Sequence, residues 1–250
     1  MSLDACAGLV SRGDPDRFLA VMAAPVPVRA RLLPLYAFNL EVARAPWVTQ
    51  EPLIAEMRLQ WWRDVVENSA SGAAKAHEVA GPLHALIRDF GLPVAVLDRL
   101  IAARRWDIHR EPHAGAEGLG AYLEDTGAGL MWLAARALGA PEAAEAPIRA
   151  YGWATAAAGY LRAAPELAAR GRQPLPEGLS PQELARRGLE RLAEARSARK
   201  AVPRAVAPAL LAGWQTEGLL RQVVTGVSSP ELPEATRRWR LMWQAFTGRW

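Results

Sequence analysis

The sequence predicts a single all-α domain, a helical bundle that takes up residues 1–250. Proline recurs where helices would begin, and glycine or proline recurs where they would end. The sequence lacks runs of alternating β-branched residues bounded by Asn-Gly or Asp-Gly, which would indicate strands. The connections are short and no repeat period stands out, so a second domain is not expected. The helical pattern of the sequence is weakest over residues 1–13 and 227–250.

The first predicted helices are set by proline and by a capping aspartate. Asp14 before Pro15 gives an N-cap followed by proline in the first turn, which starts a helix. Pro25 and Pro27 end that helix and begin the next, at about 27–47. Proline has these effects because it lacks an N–H, which suits the first turn of a helix but interrupts its interior.

Similar interruptions bound the remaining helices. Pro52 opens one at about 52–69, and Ser71-Gly72 follows it as a loop. Ser180-Pro181 with Glu183 is a capping arrangement that starts another. Further breaks fall at Gly91-Leu92-Pro93, Glu111-Pro112, Gly139-Ala140-Pro141 and Pro174-Leu175-Pro176. The helices predicted around these breaks span about 74–90, 94–109, 117–138, 142–164, 181–200, 204–224 and 233–247.

The composition excludes several classes of protein. Hydrophobic residues make up 51% and charged residues 22% of the chain, which excludes a disordered or fibrous protein. The formal charge is +4 with 26 carboxylates, so a nucleic-acid partner is not expected. The lone cysteine, Cys6, excludes a disulfide framework and a cysteine zinc site and indicates a reducing compartment. We expect it in a frayed N-terminal segment, without a nucleophilic role.

The sequence also predicts where the protein resides. Met1–Gly13 contains Asp4 and Arg12 and has no long apolar run, so an export signal is not expected. No stretch approaches the roughly 20 apolar residues that a membrane-spanning helix needs. We therefore expect a cytoplasmic protein that is soluble or peripheral at the inner membrane.

A cluster of polar residues around residue 110 is the one candidate metal site. Asp107, His109, Glu111 and His113 are all of types that ligate metals. Pro112 lies between the two histidines and would end a helix, so the four side chains need not share a face. We expect a surface helix terminus here and no bound metal.

The last predicted helix combines arginine with large apolar side chains. Trp239, Met242, Trp243 and Phe246 recur at helical spacing. This composition is typical of an interfacial helix that rests on an anionic membrane or on a partner. A closing helix docked on the bundle is the alternative. The residues of this candidate face are Arg237, Arg238, Trp239, Arg240 and Trp243.

Several short segments of the chain have uncommon residue combinations: Asp16-Arg17-Phe18, Leu35-Tyr36-Ala37-Phe38, Tyr122 with Gly127 and Gly129, Leu161-Arg162, Gly171-Arg172 and Leu175-Pro176. Together they resemble the squalene/phytoene synthase family, over about residues 14–239. The resemblance implies an all-α bundle of the isoprenoid synthase type. It also implies a central pocket in which active members join two prenyl diphosphates, with Mg²⁺ held by two Asp-x-x-x-Asp motifs on facing helices. Carboxylates at that spacing share one helix face, and hard oxygen ligands suit Mg²⁺.

This chain departs from the family at the metal-binding positions. The positions that match the four motif aspartates hold Ala43, Trp47, Ala163 and Leu167. We therefore expect no catalytic residue, no metal site and no cofactor, and Mg²⁺ enters only if the chain is an enzyme after all. The pocket positions that the resemblance and the helical spacing carry over are Tyr36, Leu40, Ala43, Trp47, Tyr122, Ala156, Gly159, Arg162, Ala163 and Leu167.

A narrower resemblance points to a branch of the family that lacks the metal motifs. The segments 38–43, 57–62 and 195–210, together with 161–165, are similar to that branch, which includes a mitochondrial complex I assembly factor. The resemblance implies a degenerate, non-catalytic protein that assists assembly of respiratory complex I, with complex I subunits or assembly intermediates as partners. Two alternatives remain. One is a prenyl-diphosphate transferase with unconventional ligands, and the other is an isoprenoid- or lipid-binding protein.

Overall fold

The computed structural model describes residues 3–70, 72–73, 75–109 and 111–250. Within these ranges the chain forms α-helices, short 3₁₀ segments and one π-helical turn, with no β-strand, so the predicted all-α class is confirmed. The α-helices are α1 (Leu3–Gly13), α2 (Pro15–Ala23), α3 (Val26–Arg44), α4 (Pro52–Glu67), α5 (Ala80–Phe90), α6 (Val94–Ala103), α7 (Gly115–Leu123), α8 (Gly129–Ala137), α9 (Glu145–Ala169), α10 (Pro181–Ser197), α11 (Ala207–Leu210), α12 (Thr216–Val224) and α13 (Glu234–Thr247).

The two longest helices, α3 and α9, run through the middle of the bundle. Ten of the nineteen residues of α3 are buried, and α9 packs on α8, α10 and α12. A helix that is apolar nearly all round must be covered on all sides, because exposing it would leave apolar surface in water. The central position of these helices brings their facing side chains to a common cavity.

Capping residues start the helices where the sequence predicts them. The Asp14 side chain accepts a hydrogen bond of 2.9 Å from the backbone N–H of Arg17, and Ser180 accepts one of 3.1 Å from Glu183. Each cap satisfies a backbone donor that has no partner within its own helix.

The N-terminal segment differs from the prediction. Residues 3–13 form a regular helix on which Cys6 and Val10 are fully buried, so the expected fraying is wrong. An apolar stripe on α1 docks against α3, and this packing stabilises a short helix that would fray alone. Burial raises the pKa of the Cys6 thiol to about 11, which keeps it protonated and makes it a poor nucleophile.

Several predicted helices have different limits in the structure. The one predicted over 27–47 ends at Arg44, and the one predicted over 74–90 begins at Ala80. The helix predicted over 117–138 contains a π-helical turn at Glu124–Ala128, and the one predicted over 204–224 is broken into short segments. The helix predicted to end near residue 164 continues through Pro165 to Ala169. Pro165 removes one N–H donor from the helix, but the helix continues for four residues beyond it.

None of the helices in the described ranges combines the length and the apolar character that crossing a membrane requires.

Candidate functional site

A cavity of about 510 Å³ lies between α3, α7, the π-turn and α9. Its walls are largely apolar, and the polar groups are concentrated in a few side chains. Pockets of this size and character bind small ligands in many proteins. Eight of the ten residues predicted for the pocket line this cavity: Tyr36, Ala43, Trp47, Tyr122, Ala156, Gly159, Ala163 and Leu167.

The other two predicted residues, Leu40 and Arg162, lie outside the cavity. The Leu40 side chain packs against Gly13, where a Cβ atom would come within 3.0 Å of it. The Arg162 guanidinium donates a hydrogen bond of 2.8 Å to Asp16 on α2. On α9, Arg162 is three residues from Gly159, about 60° around the helix, and this rotation turns it from the cavity towards α2.

A buried polar network forms one wall of the cavity. Nη1 of Arg104 donates a hydrogen bond of 2.6 Å to the hydroxyl of Tyr122, and that hydroxyl donates one of 2.9 Å to Oδ2 of Asp107. Nη1 of Arg104 also lies 3.4 Å from the same carboxylate oxygen. Burial raises the pKa of Asp107, and the charge of Arg104 and the hydrogen bond from Tyr122 oppose that rise.

The region around residue 110 is therefore not the surface helix terminus that the sequence predicts. Asp107 and His113 are buried, whereas His109 and Glu111 are exposed. The His113 ring stacks on Trp106 at 3.7 Å between centroids, and its burial lowers the pKa of the imidazole to about 4. The four candidate ligands do not converge, because Asp107 and His113 are buried in the protein whereas His109 and Glu111 face solvent.

Guanidinium groups surround the cavity, and the sequence prediction missed most of them. Arg17, Arg44, Arg104 and Arg170 line it. Arg170 and Arg172 lie over the Trp47 ring at 5.3 and 5.2 Å from its centroid. The available signal was compositional: only two of the 30 basic residues are lysines, and arginine is preferred for planar recognition of anions.

Small residues on α9 and the π-turn set the shape of the cavity. A Cβ atom on Gly127 would lie only 2.2 Å from the Cβ of Ala156, so the two helical segments are in direct contact there. Gly159, one turn further along α9, has no heavy atom within 4 Å of where its Cβ would be. The helices therefore touch beside Ala156 and leave open space at Gly159.

The residues of the cavity do not fit a magnesium site. Two carboxylates line it, and both already have partners: Asp107 in the Arg104–Tyr122 network, and Glu166 in an ion pair of 2.5 Å with Arg170. Mg²⁺ takes near-octahedral oxygen ligands, and the four positions that match the motif aspartates supply none. Across the part of the chain that the structure describes, no three His, Cys, Asp or Glu side chains are grouped so as to hold a metal ion.

The C-terminal helix α13 is docked on the bundle by one face and exposed on the other. Arg237 pairs with Asp16, and the buried Gln244 donates a hydrogen bond of 3.2 Å to the carbonyl of Leu210. The exposed stripe consists of Trp239, Met242, Trp243 and Phe246, which are 50–83% accessible. Trp250 lies apart from this stripe and packs on Tyr151. Arg238 is exposed beside the stripe and pairs with Glu234 at 2.8 Å.

Comparison with solved structures identifies the fold. A dehydrosqualene synthase in complex with ligand superimposes with a TM-score of 0.78 over 98% of this chain and 95% of that one, at 12% identity. A squalene synthase from Alicyclobacillus acidocaldarius gives a TM-score of 0.75 over 92% of this chain and 95% of that one, at 17% identity. The bundle therefore has the same fold as these two synthases.

Comparison of sequences finds relatives that are named as assembly factors, not as synthases. The chain is 26% identical to the bovine and human proteins named NADH dehydrogenase (ubiquinone) complex I, assembly factor 6, over 87% of this chain and 72% of each relative. A Drosophila melanogaster homologue of that factor is 31% identical over 51% of this chain and 40% of its own length. The family model for squalene/phytoene synthase matches residues 10–245. The chain therefore belongs to the squalene/phytoene synthase family.

Proposed function

We propose that this protein assists the assembly of respiratory complex I and does not transfer prenyl groups. The single observation that carries the first part is its similarity, over most of its length, to proteins named as complex I assembly factors. The second part is supported by the cavity, where the positions of the motif aspartates are apolar and the remaining carboxylates are paired with arginine or tyrosine.

The exposed stripe of α13 is the proposed contact with the membrane on which complex I is built. Tryptophan and phenylalanine side chains favour the boundary between water and lipid. Arg238 and Arg240, in the first two turns of the same helix, complement an anionic leaflet, whereas Arg237 is paired with Asp16 on α2. A peripheral location at the inner membrane follows from this proposal, because a membrane complex is assembled where its subunits lie.

Affinity purification from the native membrane tests the assembly role. The tagged protein is recovered under mild detergent, and both proteins and lipids in the eluate are analysed by mass spectrometry. We expect complex I subunits or assembly intermediates to be enriched over a tagged, unrelated membrane-associated protein. Deletion of the gene should lower the amount of assembled NADH dehydrogenase in native gels. Normal assembly in the deletion strain, with no enrichment of complex I proteins, would refute the proposal.

A second candidate function, binding of an isoprenoid or other lipid, is supported by the cavity itself. A pocket of about 510 Å³ with largely apolar surface leaves that surface in contact with water, and an apolar ligand would cover it. The lipid fraction of the same purification tests this candidate independently of the protein fraction.

A further inference from the structure

We propose that a second pocket, beside the exposed stripe of α13, holds the phosphate of an anionic glycerophospholipid from the membrane. The proposal rests on the membrane contact proposed above for α13 and names the lipid group that this contact recognises. The pocket has a volume of about 400 Å³ and lies between α10, the 3₁₀ segment Leu211–Gly213, α12 and α13. It is separate from the cavity between α3 and α9, because the two share no lining residue.

Two tryptophans connect this pocket to the exposed stripe. Trp239 and Trp243 line the pocket, and they are also 63% and 50% accessible on the outer face of α13. Their rings stack with centroids 6.2 Å apart and planes inclined by 24°. Tryptophan favours the boundary between water and lipid, so the mouth of the pocket would lie at the depth of the lipid head groups. A lipid whose chains cover the stripe would therefore bring its phosphate to the pocket.

Two guanidinium groups in the lining lack a counter-ion. Within the described ranges, neither Arg240 nor Arg249 lies within 4.0 Å of a carboxylate. Glu234 stands three and four residues before Arg237 and Arg238 and pairs with both, whereas no acidic residue has either spacing from Arg240. The planar donor fork of arginine matches the oxygens of a phosphate, so these two groups can bind one together.

The other polar groups of the pocket already have partners. The carboxylate of Glu217 accepts a hydrogen bond of 2.9 Å from Arg196 and pairs with Arg221 at 2.8 Å. Burial raises the pKa of Glu217, but the hydrogen bonds from these arginines outweigh that effect and lower it. Nε of Arg196 also donates a hydrogen bond of 3.1 Å to a main-chain oxygen of Trp250. These contacts leave the two unpaired guanidinium groups as the charges open to a ligand.

The position of Arg240 suits it to a fixed site. Its side chain is half-buried and rests on the first turn of α12, where a Cβ atom on Gly218 would lie 3.5 Å from its Cζ. A group that is already placed loses less conformational freedom when it binds. Two cationic groups also favour a head group with net negative charge over one that carries a cation such as choline, because like charges repel.

Isothermal titration with dihexanoylphosphatidylglycerol, below its micelle concentration, tests the proposal. Arg240→Gln with Arg249→Gln should weaken binding at least tenfold. The matched control is Arg12→Gln with Arg88→Gln, which removes the same charge from exposed positions on α1 and α5 and should stay within twofold of the wild type. Equal weakening by the two pairs would show that net charge and not the pocket attracts the lipid, which would overturn the proposal. Circular dichroism and thermal melting confirm that each variant is folded.

Further ligands establish the source of the phosphate. Dihexanoylphosphatidylcholine and glycerol 3-phosphate should each bind at least tenfold more weakly than dihexanoylphosphatidylglycerol, the first because of its choline and the second because it has no chains to cover the stripe. Glycerol 3-phosphate that binds as tightly as the lipid would make this a site for a soluble phosphate and overturn the proposal. Absence of lipid binding would also overturn it. Neither result would alter the flotation of the protein with anionic vesicles or the native-gel result for complex I, so the proposals fail separately.

Discussion

The hydroxyl of Tyr122 donates a hydrogen bond of 2.9 Å to Oδ2 of Asp107, fifteen residues earlier in the chain. The bond joins helix α7 to the 3₁₀ segment after α6, and it holds a buried carboxylate in the wall of the cavity. Arg104 completes the network from the other side. A buried carboxylate is tolerated only when such partners replace its water.

Replacement of Tyr122 by phenylalanine should lower the free energy of unfolding by about 2 kcal/mol, because a hydrogen bond to a charged group is lost and Asp107 stays buried. Tyr160→Phe is the control, since the hydroxyl of Tyr160 donates to the neutral carbonyl of Pro174 at 2.6 Å. It should cost about 1 kcal/mol. Urea denaturation followed by circular dichroism measures both. Equal losses would show that the charge of Asp107 does not contribute.

His113 should make the protein less stable in mild acid. Its pKa is about 4 in the folded protein, against about 6.5 when exposed, so the unfolded chain binds the proton first. The free energy of unfolding should therefore fall as the pH drops from about 6.5 to about 4, by up to about 1.4 kcal/mol per pH unit from this residue. His113→Phe keeps a ring on Trp106 and should show a shallower dependence. Parallel pH profiles for the two proteins would contradict this assignment.

Close contact between helices at Gly127 should make alanine there destabilising. The added Cβ would come within 2.2 Å of Ala156, which forces the π-turn away from α9. Overpacking of this kind costs about 1–3 kcal/mol. Gly120→Ala, where the Cβ meets open space, should instead stabilise the protein by up to about 1 kcal/mol through helix propensity. Thermal melting of both variants measures the difference, and a loss of similar size for Gly120→Ala would show that steric contact is not the cause.

The sequence predicted the helices and much of the cavity wall, but not the polar network. Helical spacing brings Tyr36 and Ala43 to one side of α3, so their common placement could be derived, whereas Trp47 reaches the cavity from the turn that follows this helix. Asp107 lies on a 3₁₀ segment whose direction depends on tertiary packing, so local pattern gave no sign that it would be buried. The helix breaks over 204–216 were also missed, although Pro208 lies in the first turn of α11 and Gly213 ends the 3₁₀ segment that follows it.

Incubation with farnesyl diphosphate and Mg²⁺ should release no diphosphate above background. Departure of diphosphate from an allylic carbon leaves several negative charges, and metal ions ordinarily stabilise them by several kcal/mol. Each 1.4 kcal/mol changes the rate about tenfold, so a cavity without metal ligands should be slower by several orders of magnitude. A colorimetric assay of released diphosphate checks this, with a metal-dependent squalene synthase as positive control. Turnover that a chelator abolishes would establish the prenyl-transferase alternative.

Flotation with liposomes tests the proposed membrane face on α13. Vesicles with anionic lipid should carry the protein upward at low salt and less of it at high salt, because each arginine near the leaflet adds about 1 kcal/mol that salt screens. Arg238→Gln with Arg240→Gln should reduce binding about tenfold or more, and Trp243→Gln with Phe246→Gln should reduce it at any salt concentration. Arg237 is left unchanged because its pair with Asp16 holds α13 on α2.

Arg88→Gln is the matched control for charge, since Arg88 is exposed on α5, far along the chain from α13. This variant should float like the wild type. If the arginine and aromatic variants of α13 also float like the wild type, the membrane contact lies elsewhere on the surface. The exposed apolar side chains of α4, Leu53, Ile54 and Met57, would then be the next to replace. If the wild type itself does not float with anionic vesicles, the stripe on α13 faces a protein subunit, because an exposed row of tryptophan and phenylalanine needs a partner of some kind.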